Sequence, residues 1–443
     1  MMHRGRHRRR RRGAALRAVL TGAALALTAA ATLISTSQAQ VAENPGALRP
    51  LTAPADTAPL RLREQLVPQR TLDGLAAGMG RPVGVDAVLR SADLRMRESA
   101  DCSTADRTSL PVAPATDHAY CWDPADTGST AWRPASVTTS GDADDDGVWG
   151  THRVVLSGWT RGAADGPAAG QGLARVAFVN ADDPARLAYR WVLLVVPVDG
   201  GRDYRGLASG ISGMVWYQDK LLVTTTAGSA DALYVYDVDR IERTTVDGSA
   251  IGRVPGGWSA DGYRYVMPAV GSYRFSAGRC ASSGAPCPGA LAVDRGTVPD
   301  SLVAAERTDP GDGHSRLWRY AFSTAPGRGG LLAADARGRV EAVEAYRTRA
   351  TGIRGVLSYR QAGAEVSSWY VGHLPDYRDG HGGLWRQDVG GAKAARCGAD
   401  ASHRCWAASA GSLSYWQETG EVWSLSDRML FCLPLAALDR TVQ

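Results

Sequence analysis

Gly213-Met-Val-Trp-Tyr217, then Lys220-Leu-Leu-Val-Thr-Thr-Thr226, then Ala232-Leu-Tyr-Val-Tyr-Asp237 read as strand, tight turn, strand, loop, strand. Each run is short and rich in β-branched and aromatic residues, a composition that suits a pleated, packed strand better than a helix. The texture returns at Gly355-Val-Leu-Ser-Tyr359, Val366-Ser-Ser-Trp-Tyr-Val371 and Gly383-Leu-Trp-Arg-Gln387. It returns again at Gly411-Ser-Leu-Ser-Tyr415, Gly420-Glu-Val-Trp-Ser-Leu425 and Arg428-Met-Leu-Phe-Cys432, with weaker copies at Gly289 to Phe322 and His152 to Val198. A small antiparallel sheet cannot bury both faces alone. About five such units, each of roughly 45–60 residues, cover one another best by radial packing. The expected fold is all-β, a β-propeller of about five blades over residues 118–443. A pair of β-sandwiches is the alternative that the same alternation allows.

Upstream of the repeats the texture changes. Residues 1–39 hold eight arginines and no acidic residue, followed from Ala18 to Ile34 by a weakly apolar run of 17 residues and then by Ser37-Gln38-Ala39. Basic, apolar and small-x-small regions in that order are the three parts of an export signal. The arginine run also suits a twin-arginine route. Residues 40–70 carry Pro45, Pro50, Pro54, Pro59 and Pro68. Proline at that density argues against a continuous helix or a central strand, so this stretch reads as a disordered Pro/Ala-rich tether. Residues 71–117 read as an extension that packs on the propeller.

Charge and cysteine content agree with export. The whole chain has formal charge +5, and losing the eight arginines of the signal leaves −3. That removes the case for a nucleic-acid partner, which needs a cationic folded surface. No second segment is long enough to anchor the chain stably in a membrane, so the expected product is a secreted monomer. The seven cysteines group locally as Cys102 with Cys121, Cys280 with Cys287 and Cys397 with Cys405, leaving Cys432 in an apolar run. In an oxidising compartment such near neighbours close disulfide loops, while Cys432 reads as a buried thiol.

Chemistry-bearing motifs are few. Asp142, Asp144 and Asp146, followed by Gly147, have the alternate-carboxylate spacing of a Ca²⁺ loop, although Arg153 stands where an EF-hand needs a bidentate Glu. They are the candidate metal ligands, and Ca²⁺ is the one cofactor the chain suggests. His314, His373 and His381 fall in Gly/Asp-rich segments expected between strands. No His-Glu-x-x-His, Gly-x-Ser-x-Gly or P-loop pattern occurs. Thirteen tryptophans and 15 tyrosines against four phenylalanines would suit sugar stacking. Trp216, Trp369 and Trp416, however, sit at or beside the recurring strand positions and are expected to pack between blades.

Tyr120-Cys121-Trp122-Asp123 with Trp132-Arg133-Pro134, Gly213-Met214-Val215-Trp216-Tyr217, Gly262-Tyr263-Arg264-Tyr265-Val266-Met267-Pro268, and Ser414-Tyr415-Trp416 leading to Glu421-Val422-Trp423-Ser424-Leu425 resemble a family of exported actinobacterial proteins. The resemblance spans about Asp101 to Leu438 and implies export and a propeller-like repeat. It brings no catalytic residues with it.

The functional expectation is non-catalytic binding of a ligand, such as a glycan or cell-envelope polymer, at one mouth of the ring, where loops from every blade gather. The alternatives are an extracellular Ca²⁺-assisted hydrolase or lyase acting on polysaccharide, and a structural or protein-docking module. Fold alone does not choose among them.

Overall fold

Strand makes up 44% of the chain and helix 14%, and the all-β expectation holds. The computed structural model describes residues 44–128, 131–162, 172–225, 230–279, 284–309, 312–361, 363–374, 380–398, 402–409 and 411–442. The export signal expected at 1–39 lies outside these. Residues 44–399 and 403–443 belong to one compact unit, which contains all the sheets.

Among the described residues, five strands open successive antiparallel meanders: β1 (Trp132–Thr139), β2 (Met214–Tyr217), β3 (Pro288–Asp294), β4 (Ile353–Tyr359) and β5 (Leu413–Trp416). β1 leads into Val154–Arg161, Ala174–Asn180 and Ala188–Val198. β2 leads into Lys220–Thr224, Leu233–Asp237 and Tyr265–Phe275. β3 continues through Ser301–Glu306, Ser315–Ala321 and Glu344–Thr348, and β4 through Ser368–His373, Gly383–Asp388 and Gly391–Ala394. After β5 only Glu421–Leu425 and Met429–Pro434 follow. His118–Cys121, from the far side of the sequence, supplies the next strand, antiparallel to Met429–Pro434. Tyr265–Phe275 also runs parallel to Ala188–Val198, which merges the first two meanders into one 13-stranded sheet.

Period-two alternation sends each strand's side chains into two different cores. Leu221 and Val223 pack with Leu156, Val176 and Phe178 of the β1 meander. Leu222, between them, packs with Leu291, Leu302 and Trp318 of the β3 meander. The division continues: Ala292 and Leu317 meet Val356 and Trp369, and Leu357 and Tyr370 meet Val422 and Phe431. Tyr120, Leu430 and Cys432 then meet Val137, Val155 and Ala177 of the β1 meander, and the cycle closes. Each fully buried Leu, Val or Phe side chain contributes about 1.5–3 kcal/mol. Trp216, Trp369 and Trp416 are all buried in these cores.

The first strands touch in the same cyclic order, β1 with β2 and onward to β5 with β1. So close an approach needs small residues. A Cβ on Gly213 would lie 2.8 Å from the Leu291 amide nitrogen, and one on Gly355 would run into the Gly411 carbonyl oxygen.

The tether expectation for residues 40–70 is corrected from Asn44 onward; residues 40–43 lie outside the described set. Arg49–Pro50 pairs with Glu344–Thr348, and Leu62–Leu66 pairs with both Tyr265–Phe275 and Arg339–Val340. The prolines are tolerated because each stands where its missing N–H costs little. Pro50 lies on an outermost strand, Pro54 opens a helical turn, and Pro68 precedes the helix Gln69–Met79. Leu48, Leu60 and Leu62 are buried and hold the segment down. The extension expected over 71–117 contributes the helix Gly84–Arg90, whose Val85, Val88 and Leu89 join the core between the first two meanders.

Two of the expected disulfides are present, Cys102–Cys121 with Cα atoms 6.0 Å apart and Cys397–Cys405 at 5.4 Å. Cys280 lies outside the described residues, and the expected Cys280–Cys287 pair with it. Cys432 is free and buried, and burial pushes its thiol pKa up. Cys102–Cys121 ties the preceding loop to the strand that completes the β5 sheet. For its 19-residue separation, the double substitution Cys102→Ala/Cys121→Ala is expected to lower unfolding stability by about 3 kcal/mol, read as a lower urea midpoint. An unchanged midpoint would show that strand pairing alone holds the junction.

Candidate functional site

Where the five first strands begin, their ends surround a cavity of about 430 Å³. It falls within the range of roughly 300–1,000 Å³ common for ligand sites. Three of those strand starts are irregular. The pairing register shifts between Pro134 and Ser136 in β1, between Pro288 and Ala290 in β3, and between Ile353 and Gly355 in β4. The residues displaced from the ladder are Ala135, Gly289 and Arg354, and all three line the cavity. A β-bulge bends its strand and redirects a side chain, which is why bulges gather at barrel rims and sites. In β1 the cause is visible in the sequence, since Pro134 cannot donate to the ladder.

Among the described residues, the cavity wall carries Arg133, Arg307 and Arg354, with Asp427 as the one carboxylate. Asp427 accepts a hydrogen bond from the Ser409 hydroxyl. Arg133 and Arg307 are exposed, and neither forms an ion pair with a described carboxylate. Among the described wall residues, three guanidinium groups thus stand with one carboxylate. Ser212 and Ser426 add hydroxyls. A second cavity, of about 180 Å³, shares Arg133, Pro134 and Asp427 with the first and extends to Trp132 and Trp159. Trp132 is half-buried there. Its ring centroid is 4.4 Å from the Arg175 guanidinium, which is itself buried and paired with Asp126 at 2.9 Å.

The opposite ends of the first strands surround a smaller cavity of about 220 Å³, lined by Asp142, Asp294, Arg295, Tyr359, Arg360 and Tyr415 among others. Of its two described arginines, Arg360 is exposed and Arg295 is held locally. Arg295 pairs with Asp145, and Arg319, buried beneath, pairs with Asp294 and donates to the Ser358 hydroxyl at 3.0 Å. Between the two cavities, hydroxyls meet across the axis, Ser136 with Ser412 at 3.1 Å and Thr139 with Ser414 at 3.3 Å.

Asp142, Asp144 and Asp146, the carboxylates expected to hold Ca²⁺, do not converge. Ser140–Ala143 forms a helical turn, so the alternate side chains do not share a side as they would in an extended loop. Asp142 is buried and accepts from the Thr138 and Ser414 hydroxyls, each at 2.6 Å. Burial raises its pKa, opposed by those two hydroxyls. Asp144 is exposed, and Asp146 accepts the Val148 amide of its own turn at 3.0 Å. Asp219, Asp237 and Asp239 do come together, but Lys220 bonds Asp219 and reaches Asp237 at 3.2 Å, so this cluster contains its own cation.

The loop histidines are dispersed. His314 is exposed and His381 contacts the Trp406 carbonyl oxygen at 2.8 Å. His373 is not a loop residue. It ends the strand Ser368–His373, is buried, and accepts the Trp385 indole N–H at 2.8 Å. Burial pushes its pKa down from 6.5 to about 4. A depressed pKa means that the unfolded chain binds the proton first. The stability His373 contributes is therefore complete above pH 6.5 and is lost as pH falls toward 4, by about 3 kcal/mol at most. The urea stability difference between the native chain and His373→Gln is expected to shrink or reverse between pH 7.5 and pH 4; a constant difference would contradict a buried neutral imidazole.

The arginines of the mouth were not singled out from the sequence. They come from three different sheets, and only Arg133-Pro134, a proline inside an otherwise regular strand run, signalled a bulge.

No protein-family model matches the chain, and no curated protein matches it. Among solved structures, one similar chain comes from "Drosophila Plexin A in complex with Semaphorin 1b". The TM-score is 0.23 and the identity 9%, over 75% of this chain and 77% of that one. A likeness of that size carries no argument about this protein.

Proposed function

We propose that this chain is an exported, monomeric β-propeller of five blades that binds a glycan or cell-envelope polymer, without transforming it, at the arginine-lined mouth. The five-blade reading is supported by the five interblade cores, each shared by successive meanders. The 13-stranded sheet is then two blades joined through Tyr265–Phe275. Export is supported by the basic, apolar and small-x-small order of residues 1–39 and by two disulfides. The resemblance to exported actinobacterial proteins belongs to the same reading.

The observation that carries the binding reading is the mouth itself, where three bulged strand starts converge on one cavity. Its described walls present guanidinium and hydroxyl groups, which recognise a ligand by hydrogen bonding. Binding there would touch segments far apart in sequence. Hydrogen exchange with solubilised envelope polysaccharide is therefore expected to slow together around Ile211–Ser212, Ile353–Arg354 and Leu425–Asp427. Protection confined to one segment, or to the blade exteriors, would refute the location.

A further inference from the structure

Resting on the mouth-binding reading, we infer that the ligand is an acidic glycan. An anionic group is held among Arg133, Arg307 and Arg354, and an adjoining sugar ring lies along Trp132. Three features of the site lead there. The larger of the two cavities at the ends of the five-strand axis presents, among its described residues, three guanidinium groups and one carboxylate. Guanidinium presents a planar fork of N–H donors that matches carboxylate or phosphate oxygens two at a time. Arg354 reaches the cavity from a bulge, so the backbone irregularity and the charge coincide at one residue.

The second cavity extends the site. It shares Arg133 and Pro134 with the mouth, so a chain whose charged group enters the mouth has its neighbouring unit beside Trp132. Trp132 is positioned before any ligand arrives, by Arg175 at 4.4 Å and Arg161 at 6.0 Å from its ring centroid and edge-to-face with Tyr263, with ring centroids 6.3 Å apart. The part of this fixed ring that lines the second cavity can meet a sugar at little entropic cost.

A nucleic acid would also offer phosphates and stacking rings, but the remainder of the chain opposes it. Residues 40–443 have a formal charge of −3, and a long polyanion would be repelled away from the mouth. A glycan with acidic groups needs the cations only where it enters.

The experiment measures affinity of the full mature chain for four probes at low and high salt: trigalacturonate, a short glycosylated oligo(glycerol phosphate), neutral dextran and single-stranded DNA. One or both acidic glycans are expected to bind. Binding by only one identifies carboxylate or phosphate as the preferred group, and binding by both supports the shared chemistry. High salt is expected to weaken binding roughly 10-fold. Arg133→Gln/Arg307→Gln is expected to weaken it roughly 10-fold or more, and Trp132→Ala roughly 5-fold with recovery in Trp132→Phe. Melting temperatures of the variants establish that they fold. Equal binding of dextran, tighter binding of DNA, or binding indifferent to the arginine substitutions would overturn the inference. So would silence toward both acidic probes. The exchange pattern with native envelope material is independent of all four probes, so it separates a wrong ligand class from a wrong site.

Discussion

Apolar side chains on both faces of the strands constrain this molecule more than any other feature. A strand such as Lys220–Thr224, which sends Leu222 one way and Leu221 and Val223 the other, must have a neighbouring sheet on each side. An open row of such sheets would leave its first and last members bare. The chain avoids this by bringing the β5 meander against the β1 meander through Leu430, Cys432, Val137 and Val155. His118–Cys121 makes the junction possible. It belongs to the β5 sheet by hydrogen bonding yet immediately precedes β1 in sequence, so the two ends of the cycle are held by one stretch of chain. The Cys102–Cys121 bond anchors that stretch from its other side.

Closure also determines where chemistry can reside. The first strands meet at an axis too narrow for large side chains, and Ser136, Thr138, Ser412 and Ser414 fill it with hydroxyls that satisfy one another and the Asp142 carboxylate. Burial of that carboxylate would be costly without these donors. Along the axis, the cavities among the described residues lie at its two ends. At one end Arg295 pairs with Asp145 and, beneath it, Arg319 with Asp294, while Arg360 is exposed. The other has three bulged strand starts, and its described wall carries three arginines and one carboxylate. The two ends differ in strand regularity, and the bulged end has the larger cavity.

The repeats at 213–237, 355–387 and 411–432 were legible because their strands are central, flanked by cores on both faces, and their residues alternate between two apolar destinations. Leu62–Leu66 was not legible. Its partners lie outward in the sheet and only Leu62 of its five residues is buried, so it lacks the alternation by which a strand is read. Proline density there pointed to disorder, whereas the prolines occupy turn and edge positions that need no N–H. The aspartate spacing at 142–146 was visible, but a helical turn at Ser140–Ala143 sets where those carboxylates point. Arg133, Arg307 and Arg354 could not be grouped from the sequence, because only the cyclic arrangement brings their sheets to one opening.

The central claim is that β1 and β5, far apart in the sequence, meet at the axis. Ser136 and Ser412 provide the most direct measure, with hydroxyl oxygens 3.1 Å apart across 276 residues. The double substitution Ser136→Cys/Ser412→Cys, exported under oxidising conditions and mapped by non-reducing digestion, is expected to yield a peptide pair linked through positions 136 and 412. Two free thiols at those positions in a folded protein would contradict a closed ring.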